Sequence, residues 1–358
     1  MDSDQPGMPV FHRRQTVEDT LNGFFRARIS ASTRYGEGYR ALWENIALGT
    51  RGGKRFRPYL VMTAFESLGG SDVAAAANLA AAYELLHAAL VEHDDVIDRD
   101  FIRRGRTNVS GRYRDIAHTA GLQLPTAEHR GLSAGVIAGD LTLAGAHRLL
   151  EGAVAGIEPE RAAELREVFD DAIEASAAGE LADVDFSVSG VMPTVEEILA
   201  MSRMKTAVYS FEAPLRSGAL LAGAEPERAR ALADVGRHLG IAYQLIDDLL
   251  GVFGDRALTG KSVDGDLREG KRTVLIAHAA GSELWPEILE TLGSSEATPA
   301  QIDHLRGLVE ATGAREFALN LARDAANRGW EALHDPLIPE RTRTELTPLI
   351  RGVLERTR

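Results

Sequence analysis

Cysteine is absent from the 358 residues, which excludes disulfides, thiolate nucleophiles and cysteine-held zinc. Proline is scarce, at 13 residues, and no linker-like stretch, short repeat or low-complexity tract interrupts the chain. No convincing run of alternating polar and apolar residues marks a strand. Positive charge is also in deficit: 40 Lys and Arg face 53 Asp and Glu, for a net charge of −13. That balance argues against a general nucleic-acid binder, although local basic clusters can still hold phosphate. Residues 1–10 are polar and contain no apolar core of the kind a secretory signal needs. The most apolar window, residues 73–91, is broken by Asn78, Glu84 and His87, so it reads as a buried helix rather than a membrane span. A cytoplasmic protein is therefore expected.

With 44% hydrophobic residues the chain can bury a large core. Apolar positions recur at helical period from about Thr16 to the C-terminus. Gly69-Gly70-Ser71-Asp72 ends one helix and caps the next. Thr194, followed by Glu197, has the form of a capping box, and Thr312-Gly313 separates two further helices. Residues 99–129 read as a loop with a short helix, and a second charge-rich loop runs over 251–273. The expected fold is all-α: one domain over 1–358, with residues 1–15 as a flexible lead, its antiparallel helices surrounding a central cavity.

Two acidic clusters stand inside these apolar helical stretches, Asp94-Asp95-Val96-Ile97-Asp98 and Asp247-Asp248. Burying an unpaired carboxylate is very costly. At helical spacing Asp94, Asp95 and Asp98 converge on one rim, where their like charges repel. Hard cations between them resolve the conflict. All-oxygen ligation points to Mg²⁺, which completes its shell with water and substrate phosphate oxygens. Both clusters are followed by loops, which suggests two helix ends facing each other across one cavity that grips a diphosphate. The basic partners are at hand. Gly52-Gly53-Lys54-Arg55-Phe56-Arg57-Pro58 sets three cations beside a glycine pair, and Arg103-Arg104-Gly105 follows the first cluster. Lys205-Thr206, Lys261 and Gly270-Lys271-Arg272-Thr273 lie downstream. Arg offers phosphate a planar fork and Lys a mobile point charge. His87 lies one to two turns before the first cluster.

These stretches resemble the trans-isoprenyl diphosphate synthases, or polyprenyl synthetases, over nearly the whole chain. The resemblance rests on GGKRFRP (52–58), ELLHAALVEHDDVIDRDFIRRG (84–105), AGD (138–140), KT (205–206) and YQLIDDLLGVFGD with GK and DLREGKRT (243–273). The wording of the last two is most like that of actinobacterial geranylgeranyl diphosphate synthases. The resemblance implies the isoprenoid synthase fold, a homodimer and a transferase using two or three Mg²⁺ ions. Its substrates would be isopentenyl diphosphate and an allylic diphosphate. It further implies that Asp94, Asp95, Asp98, Asp247, Asp248 and Lys205 carry catalysis, with Asp94, Asp98 and Asp247 as metal ligands. Lys54, Arg57, His87 and Arg104 would bind isopentenyl diphosphate. Arg103, Lys205, Thr206, Gln244, Lys261 and Lys271 would serve the allylic substrate.

Chain length follows from the helix before Asp94. A growing tail runs down this helix, with a turn of about 5.4 Å for roughly one isoprene unit. Ala89, Leu90 and Leu86 then form the floor, and small Ala89 lets the tail pass C15, favouring C20; C15 and C25 or longer products are the alternatives. A class I terpene cyclase would lack the GKRFRP and RRG motifs, and a non-catalytic partner subunit would lose aspartates or basic residues. Three positions depart from the family pattern: Gly251 replaces the last Asp of the second motif, with Asp255 four residues on, Glu92 replaces an aliphatic residue, and Glu180 replaces Gln.

Overall fold

The computed structural model describes residues 14–103, 105–254 and 264–355. The expected all-α class holds, and the described strands are limited to one hairpin of two residues a side. Of the expected flexible lead, residues 1–13 lie outside the described part, and helix α1 (Arg14–Ser32) begins at once after them. The described residues through Glu167, with Ser217–Ala224, form one compact unit. Val168–Arg216 and the described residues from Glu225 onward form another.

The first unit is built on α4 (Val73–Ile97), capped by Asp72, whose side chain accepts from the Ala75 amide at 2.9 Å. Its alanines and leucines are buried all round, from Ala75 to Ala89, the pattern of a core helix. By length and composition α4 alone, among the described residues, could cross a membrane, yet 67% of its apolar window is buried inside the protein. Tyr83 and Ser217, both fully buried, satisfy each other's hydroxyls at 2.7 Å. Around α4 lie α2 (Glu37–Gly49), α3 (Phe56–Ser67), α5 (Val109–Thr119) and α6 (Leu124–Val154). On α6, Gly131, Gly135 and Gly139 recur every four residues on one face. A Cβ at these positions would fall 2.4 Å from the Ser110 carbonyl, 2.2 Å from its hydroxyl and 2.2 Å from His93 Nε2. Only glycine lets the end of α4 and the start of α5 approach this closely. The hairpin β1 (Ile102–Arg103) and β2 (Arg106–Thr107) joins these helices, with Arg103 opposite Arg106. Residues 99–129 are thus more ordered than a loop with one short helix.

In the second unit, α7 ends at Val188 (Pro159–Val188) and α8 (Val195–Ser202) opens on the expected Thr194–Glu197 capping box. Helix α8 continues without a break into a π-helical stretch, Arg203–Glu212, and then α9 (Ala213–Leu221). The wide π turns fit because glycines face them. A Cβ at Gly179 would lie 2.2 Å from the Lys205 amide nitrogen, and one at Gly240 would lie 2.5 Å from Ala207 Cβ. Arg203 and Glu212 bracket the stretch with paired bonds of 2.9 and 2.8 Å. Gly240 belongs to α10 (Pro226–Phe253). Beyond it come α11 (Gly265–Glu269), α12 (Val274–Ala280), α13 (Trp285–Leu289), α14 (Pro299–Ala311), α15 (Ala314–Leu333) and α16 (Glu340–Glu355). The expected break between α14 and α15 falls at Thr312-Gly313, where Gly313 has φ of 81°.

The middle cation of the GGKRFRP segment has a structural task. Arg55, 4% exposed and in the left-handed region at φ 51°, donates to Glu18 at 2.7 Å and to Glu84 at 2.7 Å. Both Arg55 and Glu84 are buried, and removing one partner of a buried pair leaves the other uncompensated, at about 3–5 kcal/mol. Arg55→Ala is therefore expected to destabilise the protein by about that amount in chemical denaturation. A loss below about 1 kcal/mol, the value of an exposed pair, would contradict the assignment.

Candidate active site

Helix α4 delivers the first acidic cluster at its C-terminal end. The Asp100 amide reaches the Asp95 carbonyl at 2.7 Å and the Arg99 amide reaches Val96 at 3.2 Å, a Schellman closure. Arg99 takes the left-handed position usually given to glycine, at φ 55°. The carboxylates consequently sit where the helix dipole is already negative. Asp95 is buried at 1% exposure and is fully engaged. It accepts from Arg103 Nε at 2.6 Å and from Asn108 Nδ2 at 2.9 Å. Arg103 also donates to Asp94 at 2.9 Å. Burial pushes the Asp95 carboxyl up, against the opposing pull of Arg103. Asp94 and Asp98 are half-buried on the rim. Asp95 thus anchors the loop while its two neighbours face outward chemistry. Asn108, the N-cap of α5, escaped the sequence reading; its position just before a helix was the available signal.

Lys54, exposed, and Arg57, half-buried, flank Arg55 at the start of α3 in this unit, and half-buried His87 lies on α4. Ala89 and Leu86 are buried and Leu90 is half-buried. Arg104 lies outside the described residues. Glu92 now has a physical account. Its Oε2 is buried without a hydrogen-bond partner among the described residues. Burial, then the nearby Asp95 charge, pushes its carboxyl up to about 8. At neutral pH it is an uncharged group in a place where an aliphatic one is usual.

The second unit presents a matching arrangement. Lys205, in the π stretch with Thr206, is held by Asp183 at 2.6 Å and Glu180 at 3.0 Å, both on α7. Glu180, expected to interrupt a neutral hydrogen bond, instead pairs with this lysine. On α10, Gln244 donates to Asp248 at 2.7 Å, and Asp247 stands half-buried beside it. Asp248 is buried, and this burial, followed by the charges of Asp266, Asp247 and Asp183, pushes its carboxyl up to about 7. Lys271, at the end of the α11 loop, pairs with Glu269 at 3.0 Å. Lys261 and Asp255 lie outside the described residues. Asp266 was not singled out in the sequence, although it lies in the matched DLREGKRT stretch.

The donor set suits magnesium. An excess of carboxylate charge holds Asp248 partly protonated, a strain that a divalent cation relieves. Among the described residues no three acidic or imidazole side chains form a ready-made metal cage. Mg²⁺ accepts such a site, since it needs only one or two carboxylates with water and phosphate oxygens.

Carboxylate rims beside cations, set on an all-α scaffold, define a helical enzyme of the diphosphate-handling kind. Residues 40–309 match the polyprenyl synthetase family, and the chain belongs to it. It is 32% identical over 295 residues to a geranylgeranyl diphosphate synthase of Sulfolobus acidocaldarius, covering 81% of each chain. It is 34% identical over 310 residues to a (2E,6E)-farnesyl diphosphate synthase of Mycobacterium tuberculosis, covering 85% of this chain and 80% of that one. Its fold is similar, at a TM-score of 0.89, to a geranylgeranyl pyrophosphate synthase from Corynebacterium glutamicum complexed with isoprenyl diphosphate and magnesium. That likeness spans 96% of this chain and 98% of the other at 31% identity. The scaffold is the all-α isoprenoid synthase fold, and the named relatives are transferases.

The raised carboxyls fix the sign of a pH effect. Asp248 and Glu92 move up from ordinary values of 3.8 and 4.5 to about 7 and 8. Between those limits the folded protein binds more protons than the unfolded chain, so stability falls as pH rises. The contribution is complete below the ordinary values and lost above about 7 and 8. Without Mg²⁺ the thermal midpoint is expected to fall between pH 6 and pH 8, and Asp248→Asn should flatten the slope. Added Mg²⁺ should raise the midpoint more at pH 8. An Asp248→Asn slope equal to that of the parent would contradict the assignment.

Proposed function

We propose that this chain condenses isopentenyl diphosphate head to tail with allylic diphosphates, forming all-trans geranylgeranyl diphosphate (C20) as its main product. The observation that carries this reading is the coupling, in each unit, of an acidic helix rim to a cation held within bonding distance. Arg103 lies on Asp94 and Asp95, and Lys205 on Glu180 and Asp183. The names of the relatives agree with the reaction class and span C15 and C20 products.

Magnesium, when bound, neutralises the allylic diphosphate and stabilises its departure. Asp94, Asp98 and Asp247 are its carboxylate ligands, and Asp248 adds charge from behind. Arg103 and Lys205 wait on carboxylates and turn to phosphate oxygens when substrate arrives, with Thr206, Gln244, Lys261 and Lys271 completing the allylic contacts. Lys54, Arg57, His87 and Arg104 hold isopentenyl diphosphate. The allylic C–O bond breaks with its electron pair leaving on the diphosphate. The isopentenyl double bond then forms the new C–C bond, and the proton it sheds passes to the released diphosphate. No side-chain nucleophile is needed. Closure of the site around both substrates shields the cation from water.

The protein is proposed to act as a homodimer in the cytoplasm. Val136 and Ile137 on α6 are 43% and 49% exposed, apolar surface that a second copy would cover. A non-catalytic partner role is disfavoured because every aspartate and basic motif of the family is kept except at Gly251.

Product chromatography after incubating the purified chain with isopentenyl diphosphate and each allylic starter tests the reading. Magnesium-dependent elongation to C20 is expected. Ala89→Phe should shift the product toward C15 with condensation retained. Absence of elongation by the chain alone would overturn the function, and an unchanged C20 profile in the variant would move the floor away from Ala89.

A further inference from the structure

Gly251 is four residues after Asp247, so the two share one face of α10. A side chain at position 251 would therefore project to the same rim. Something already stands there. A Cβ built on Gly251 would lie 2.1 Å from Asp266 Oδ2 and 3.1 Å from its Cγ. The carboxylate that position 251 lacks is present in space, but it arrives from α11.

The local fold holds it there. Arg306 on α14 donates through Nε to the Val252 carbonyl at 2.7 Å and through Nη2 to Asp264 at 2.9 Å. One guanidinium thus ties the end of α10 to the start of α11. The Gly293 amide donates to the Leu267 carbonyl at 2.9 Å, which fixes α11 from its other side. Asp266 lies between these two ties. Its position against Gly251 is set by three elements rather than by the flexibility of a loop.

We propose that Asp266 supplies to the second magnesium rim the carboxylate that position 251 does not, with Gly251 and Asp266 acting as a matched pair. This rests on the magnesium-dependent reading given above. The pair also accounts for the departure from the family pattern. An acid restored at position 251 would collide with Asp266 and set like charges together, so the restored motif alone is a defect.

Magnesium binding in the presence of inorganic diphosphate, followed by calorimetry, tests the pairing without turnover. Asp266→Asn keeps the shape against Gly251 and removes the charge. It should weaken magnesium by about tenfold or more, the usual range for groups that support a metal ligand. Gly251→Asp should be impaired as well, while Gly251→Asp combined with Asp266→Ala should recover affinity to within about threefold of the parent, a coupling expected of residues in contact. Circular dichroism on each variant separates misfolding from lost binding, and Asp266→Asn decides the case if the double variant fails to fold. Parent-like affinity in Asp266→Asn, or a folded double variant no better than Asp266→Ala, overturns the pairing alone. A parent protein that binds no magnesium with diphosphate overturns the pairing together with the function on which it rests.

Discussion

The structure is organised around negative charge placed where a folded chain tolerates it least. The carboxylates of Asp94 and Asp95 sit in the last turn of α4, at the negative end of its dipole, and Asp248 is buried among three other acids. Each unit answers with the partners it has. Arg103 and Asn108 neutralise buried Asp95, Gln244 supports Asp248, and Lys205 offsets Glu180 and Asp183. The compensation is incomplete: Asp248 remains raised to about 7. A site left acidic on this scale is built for cations that come with the substrate rather than for permanent ones.

That demand explains features of the packing that stability alone does not. The glycine stripe on α6 lets the acidic end of α4 and the cap of α5 pack tightly, so the hairpin bearing Arg103 is brought back over the aspartates. Gly179 and Gly240 admit a π-helical stretch that carries Lys205 and Thr206. Such a stretch is unusual in length and is frequent at functional sites. Arg55 shows the same economy from the opposite direction: in a basic motif, one cation of three is withdrawn to hold α1, α3 and α4 together through Glu18 and Glu84.

Much of this was legible in the residues. Helical periodicity, the Asp72 and Thr194 caps and the Gly313 break are local signals, and they appear where the sequence puts them. The two acidic clusters were visible because charge inside an apolar helix is anomalous by itself. What the sequence hid depends on contacts distant along the chain. Arg55 looked like its neighbours until Glu18 and Glu84 were seen to enclose it. Glu92 looked like a charged intruder, while burial beside Asp95 makes it neutral. Gly251 looked like a lost ligand, because nothing in one dimension shows that Asp266, fifteen residues on, fills the space it leaves. The hairpin at 102–107 was missed because two-residue strands carry no periodicity.

The central claim is that diphosphate is held through divalent cations on these acidic rims, and calorimetric titration of inorganic diphosphate at pH 8 tests it most directly. With Mg²⁺ present the account predicts clear saturable binding, lost when the metal is chelated and lost again in Asp94→Ala with Asp98→Ala. Binding of equal strength in the presence of chelator would mean that the basic side chains alone hold the ligand, and would contradict the account.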